Sequence, residues 1–177
     1  MNESSDSGWD ELRLRSLHAL GTLDAPAEPA LDRICRLVER VFHCDTVVVS
    51  LVDRNRQWFK RRSGIVAVDE TPRDWAVCDY TIRQQDVFEV PDLRADPRFA
   101  ENPLVTAEPG LVYYAGAPVV LNDGTIPGSL CLMDDKSRAV LSLDERKMLL
   151  EFAKVVAREL EVHKTLMEAL AVIAQPG

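Results

Sequence analysis

TVVVSLVDRNRQWFKRR, from Thr46 to Arg62, is the stretch on which the fold class turns. Its first seven residues are rich in β-branched side chains and apolar on both alternating sets. That is the pattern of a strand covered on both faces. Asp53-Arg54-Asn55-Arg56 supplies turn residues, and Gln57 to Arg62 returns as a second strand. A covered antiparallel hairpin is the start of a sheet held between two layers.

Downstream, LVYYAGAPVVL (Leu111–Leu121) and IPGSLCLMD (Ile126–Asp134) flank Asn122-Asp123-Gly124. These turn residues favour positive φ and predict a second antiparallel pair. Pro118 and Pro127 each remove a ladder donor, so strand ends or irregular pairing are expected there. VFEVPD (Val87–Asp92) reads as one more short strand. Between the hairpins runs a long crossing, Gly64 to Gly110. Its Gly64–Trp75 portion reads as irregular and Asp79–Gln84 as helical turns. Asp96-Pro97 and Asn102-Pro103 each pair a capping residue with Pro at a first helical position.

Upstream, helices are expected over Trp9–Leu20 and Pro29–Phe42. The second carries the stripe Leu31, Ile34, Cys35, Val38, Val41 and Phe42, which makes Cys35 a core residue. Ser142 and Glu145 form a capping box that opens a last helix running almost to Ala174. Strands and helices do not alternate, so the layout is α+β. The terminal helices are expected on one face of the sheet and the crossing on the other. Residues 1–8 read as a flexible lead, 9–160 as the folded domain, and 161–177 as a helical extension for dimerisation or signalling.

Of the 177 residues, 46% are hydrophobic and 28% charged, which suits a globular domain with one sizeable core. The net charge of −8 disfavours nucleic acid and anionic membrane surfaces as partners. The acidic, polar N-terminus lacks the pattern of a secretory signal, and no apolar run approaches the ~20 residues of a membrane span. A cytoplasmic location follows. Cys35, Cys44, Cys78 and Cys131 are widely spaced without a Cys-x-x-Cys pair, as reduced thiols would be.

In order, LGTLDAP (Leu20–Pro26) with Leu31-Asp32-Arg33, VSLVDRNRQWFKRRSG (Val49–Gly64), ETPRDWAVCDYTI (Glu70–Ile82), VPDLRADPRFAENPLV (Val90–Val105), YYAGAPVV (Tyr113–Val120) and GSLCLMD (Gly128–Asp134) resemble a bacterial GAF domain. The similarity covers Leu12 to Leu160. It implies a profilin-like antiparallel sheet of five or six strands, with terminal helices on one face and a ligand pocket under the crossing on the other. It implies a small-molecule sensor that pairs through its terminal helices and signals to a kinase, phosphodiesterase or diguanylate cyclase. No output domain is expected before Gly177, so the chain is a stand-alone sensor or a piece of a longer protein.

The ligand-binding candidates are Trp75, Cys78, Asp79, Tyr80, Phe99, Tyr113 and Tyr114. They offer apolar surface with polar handles, which suits either a pocket or ordinary core. Strand alternation places Tyr113 and Tyr114 on opposite faces, so at most one faces a given pocket. Cys78 lacks a nearby His and adjoins Asp79, which favours a pocket wall over a nucleophile. One branch of the family reduces free methionine sulfoxide with cysteines around the pocket. Cys78 and Cys131 are the candidates for that minority reading, and their proximity would support it. Covalent bilin attachment is disfavoured because Cys78 precedes Asp79 and not His, and the cyclic-nucleotide signature is absent.

The basic cluster Arg54, Arg56, Lys60, Arg61 and Arg62 is expected to solvate an edge strand. His43-Cys44-Asp45 does not converge as metal ligands do, and no metal or identified cofactor is expected. Along the last helix, Leu149, Ala153, Val156, Leu160, His163, Met167, Leu170 and Ala174 form a heptad seam. Val155, Val162, Leu166, Ala169 and Ile173 add a second apolar side. Beyond Leu160 this surface predicts a homodimer. The expected function is non-covalent small-ligand sensing, not catalysis. A dimerisation module with a vestigial pocket is a further alternative.

Overall fold

A computed structural model describes residues 3–26, 28–44 and 46–174. The elements are α1 (Glu3–Ala19), α2 (Pro29–Phe42), β1 (Thr46–Val52), β2 (Arg56–Arg61), β3 (Glu70–Pro72), a 3-10 turn (Arg73–Trp75), α3 (Cys78–Thr81), β4 (Phe88–Val90), α4 (Pro103–Thr106), β5 (Tyr113–Val119), β6 (Gly128–Asp134) and α5 (Leu143–Ile173). The six strands form one antiparallel sheet in the order β3-β2-β1-β6-β5-β4.

The side-chain alternation of the central strands builds two cores. Val47, Val49 and Leu51 of β1, Tyr113, Ala115 and Ala117 of β5, and Leu130 and Leu132 of β6 pack with α1, α2 and α5. Val48, Tyr114, Cys131 and Met133 face the other way and pack with the crossing, through Val77, Cys78, Ile82, Leu93, Phe99 and Val105. Every residue of β1 is buried. Each fully buried Val or Leu there contributes on the order of 2 kcal/mol, so the central strand is fixed from both sides. The expected layering holds, with one refinement: Trp9, near the middle of α1, packs on the crossing side.

Differences from expectation have local causes. α1 begins at Glu3, so residues 3–8 of the expected lead are its first turns, while residues 1 and 2 lie outside the described ones. The Gly64–Trp75 segment contains β3, whose three residues are too few to show a period. β3 pairs with β2 by setting Gln57 opposite Thr71. β2 is therefore not an edge, and its basic residues do not simply solvate one. Lys60 and Arg61 are buried. The register shift between Val49 and Ser50 makes Lys60 the extra residue of a β-bulge. All five basic residues meet acids: Arg54 with Glu11, Arg56 with Asp24 and Glu70, Lys60 with Glu28, Arg61 with Glu39, and Arg62 with Asp69.

Helix ends follow the sequence signals. Ser142 N–H donates to Glu145 Oε2 at 2.7 Å, and Glu145 N–H donates back to Ser142 Oγ at 3.3 Å. Asn102 Oδ1 accepts from Leu104 N–H at 2.9 Å. In the β5–β6 loop, Gly124 takes φ +81° after an Asn122-Asp123 turn closed by Gly124 N–H to the Leu121 carbonyl. Among the described residues no helix is long and apolar enough to cross a membrane.

Candidate functional site

Between residues of β2, β3 and β6 and the crossing lies a cavity of about 210 Å³. Phe59, Val77, Cys78, Leu111 and Met133 make its buried floor, and Ala67, Val68, Ala107 and Pro109 form an exposed rim. Gln57 and Thr71 supply the polar side chains of the wall, and among the described residues no charged side chain lines it. Alternation along β2 explains the pairing of Gln57 with Phe59: both point to the crossing, while Trp58 packs against the helical layer.

Cys78 opens α3, whose turn is closed by Ile82 N–H donating to the Cys78 carbonyl at 3.1 Å. That short helix drives the thiol down to the sheet, where Cys78 Sγ lies 3.4 Å from Cys131 Sγ on β6. Both are free and fully buried. A polar cluster surrounds them. Cys131 Sγ shares hydrogen bonds with Ser129 Oγ at 3.0 Å and the Tyr114 hydroxyl at 3.3 Å. Tyr114 also meets Thr81 Oγ1 at 2.7 Å, and Ser129 meets Ser50 Oγ at 3.4 Å. Burial pushes the Cys78 thiol up, but hydrogen bonds from Cys131, Ser129, Ser50 and Tyr114 outweigh it and bring it down to about 7. Burial and the neighbouring Cys78 push Cys131 well up. The two cannot ionise together. The other two cysteines differ. Burial pushes Cys35 up to about 12, and Cys44, raised by burial, donates to the Thr46 and Met133 carbonyls.

The expected ligand-binding residues separate. Cys78 is the member of that set that lines the cavity. Tyr114 lies behind it in the thiol cluster. Tyr113 is on the helical face, donating its hydroxyl to Glu89 Oε1 at 2.9 Å; Arg146 of α5 binds the other oxygen of that carboxylate. Burial and the Glu89 charge push Tyr113 up. Tyr80 and Phe99 meet edge to face at 5.0 Å beside Phe88, beneath the Arg98 guanidinium. Trp75 is half-buried and its carbonyl accepts from Asn102 Nδ2.

Asp79 accepts from Arg73 at 2.9 Å and Arg83 at 2.8 Å. Arg73 in turn binds Asp10 of α1, which also pairs with the buried Arg13. Arg13 caps the β1 end through the Val52 carbonyl. The floor of the cavity is thereby one residue away from an ion network that reaches a terminal helix. Sequence reasoning missed Gln57, Thr71, Phe59, Val77, Leu111 and Met133. The Gln57–Phe59 alternation was visible as a signal, but nothing showed which side of β2 faced the crossing.

Among the described residues no three His, Cys, Asp or Glu side chains converge to hold a metal ion. Asp45 of the His43-Cys44-Asp45 run lies outside the described residues.

The chain is 37% identical over 137 residues to a cyclic di-GMP phosphodiesterase of Pseudomonas aeruginosa, a match covering 77% of this chain and 23% of that protein. The chain thus spans under a quarter of that relative's length. Among solved structures, the blue-light-absorbing PixJ GAF domain of Thermosynechococcus elongatus superposes with a TM-score of 0.61 at 17% identity, covering 90% of this chain and 94% of that one. A type II free methionine-R-sulfoxide reductase from Thermoplasma acidophilum gives 0.60 at 14% identity, with 88% and 96% coverage. The Neisseria meningitidis free methionine-R-sulfoxide reductase, solved with its substrate, gives 0.60 at 17%, with 89% and 87% coverage. At such identities these likenesses concern the fold alone. The family model for the GAF domain matches residues 26–160, which contain the whole sheet and the cavity. By that match the chain belongs to the GAF domain family.

Proposed function

We propose that the chain is a regulatory sensor that binds a small, largely apolar, uncharged ligand without a covalent bond. The observation that carries this reading is the 210 Å³ cavity itself: a buried apolar floor, an exposed rim and a wall free of charged side chains. Val77 and Cys78 touch the cavity, and the next residue, Asp79, is tied through Arg73 to Asp10 on α1. A ligand that favours one position of this segment biases α1 with it, which is a population shift between two arrangements.

α5 supplies the outward route. Leu149, Ala153, Val156 and Leu160 are buried against the domain, and the same seam continues past it through Met167 and Leu170, each about half exposed. With Val162, Leu166 and Ile173 also exposed, this surface suits a second copy of the chain, and 161–177 serves as the dimerising or signalling extension. A regulated output of the phosphodiesterase kind fits the Pseudomonas relative, and a cytoplasmic setting fits the four free cysteines. Native mass spectrometry of the purified protein tests the sensor. The expected result is a small adduct that denaturation releases. A bare polypeptide mass that no added small molecule shifts would refute it.

One observation favours a second reading. Two thiols 3.4 Å apart beside a cavity could close to a disulfide while a sulfoxide is reduced to its sulfide and water. Free methionine sulfoxide is a zwitterion, however, and the wall offers neither a cation nor an anion to pair with it. No turnover of methionine sulfoxide with a thiol reductant is therefore expected. Turnover that disappears in Cys78→Ser would establish the enzyme.

A further inference from the structure

We propose that Gln57 and Thr71 read a neutral carboxamide or lactam group on the ligand, an inference that rests on the cavity being a ligand site. The two residues sit directly opposite each other on β2 and β3. Both line the cavity, at 1% and 5% exposure. Gln57 Oε1 and Thr71 Oγ1 have no hydrogen-bond partner among the described residues. Folded proteins leave few such atoms, because an unpaired buried polar group destabilises the fold. The remaining buried side-chain atoms without a hydrogen bond, on Thr22, Trp58 and the Lys60-paired Glu28, do not line this cavity. Two adjacent unpaired groups on an otherwise apolar wall therefore mark a place where a ligand completes the bonding.

The chemistry of the pair defines the ligand group. A Gln amide presents an acceptor beside donors, and a Thr hydroxyl can do either. Their joint complement is an N–H next to a C=O. A carboxylate would need a cation that the wall lacks, and a hydrocarbon would leave both polar groups unpaired. A ketone or ether brings acceptors only. As to size, an engineered cavity of ~150 Å³ holds benzene. The larger volume here admits such a ring with a three-atom amide group.

Isothermal titration of the full chain with benzamide, benzoate and toluene is the test. Benzamide is expected to bind roughly tenfold or more tighter than either analogue. Gln57→Leu and Thr71→Val are expected to erase that preference. They are also expected to raise the melting temperature of the ligand-free protein, because each replaces an unpaired polar group by an apolar one of similar size. Toluene binding as tightly as benzamide would overturn the polar reader and leave the cavity as a ligand site. A lower melting temperature in both variants would overturn the reader too, since the atoms would then be bonded already. Failure of all three probes would overturn the reader, while the sensor reading beneath it is decided separately by the native mass spectrum.

Discussion

Gly116 shows how closely single atoms are set around the thiols. A Cβ there would collide with the Tyr114 hydroxyl and with Thr81 Oγ1 at 2.7 Å. Gly116→Ala is expected to destabilise the domain by about 1–3 kcal/mol, read by urea unfolding, because the hydroxyl pair must move apart. Asp10 carries a second prediction. Burial alone would push its carboxyl up; hydrogen bonds from Arg73 and Arg13 outweigh this and hold it at about 2, below the ordinary 3.8. A depressed carboxylate contributes stability above its ordinary value, and that stability is lost as pH falls from about 4 toward 2. Asp10→Asn should flatten the pH dependence of unfolding in that window. Asp10→Ala should cost on the order of 3 kcal/mol, since it strands the buried Arg13 guanidinium. At this scale the sequence was only partly legible. The opposition of Tyr113 and Tyr114 follows from strand alternation, and it holds. Which of them faced the crossing depended on a sheet order that joins β1 to β6 across the whole chain, and no local pattern encodes that.

Elements were read best where a single period ran long enough. The stripe of α2, the covered run of β1 and the capping box of α5 each carry their own signal within one segment. β3 has three residues and exists because β2 offers it a free edge, so its cause lies in another segment. Thr71 was missed for that reason. Ser142→Ala removes a side-chain cap and should cost about 1 kcal/mol in thermal or urea unfolding. α5 also carries the association prediction. The intact chain is expected to run as a dimer by size exclusion with light scattering, and a version ending at Glu161 as a monomer. That version keeps Glu161, whose carboxylate accepts from Asn122 N–H at 2.8 Å, so the helix stays docked to the β5–β6 loop. A monomer in both versions would remove the dimer.

Across the whole molecule, the helical layer packs one face of the sheet and the crossing the other, and the cavity lies where the crossing stands off from β2 and β3. The two-layer architecture was legible because β1 read as a strand covered on both faces, with the terminal helices and the crossing available to cover them. The cavity's place was not, since it depends on where the crossing fails to fill the space, which is a property of packing and not of pattern. The ion network from Asp79 to Asp10 then joins that space to α1. Amide chemical shifts, followed by two-dimensional nitrogen–proton NMR during a benzamide titration of the full chain, test ligand binding in this cavity most directly. Saturable shifts at Gln57, Thr71, Val77, Cys78 and Leu111, with smaller ones at Asp10 and its neighbours on α1, are the predicted result. An unchanged spectrum, or shifts confined to the exposed stripe of α5, would contradict it.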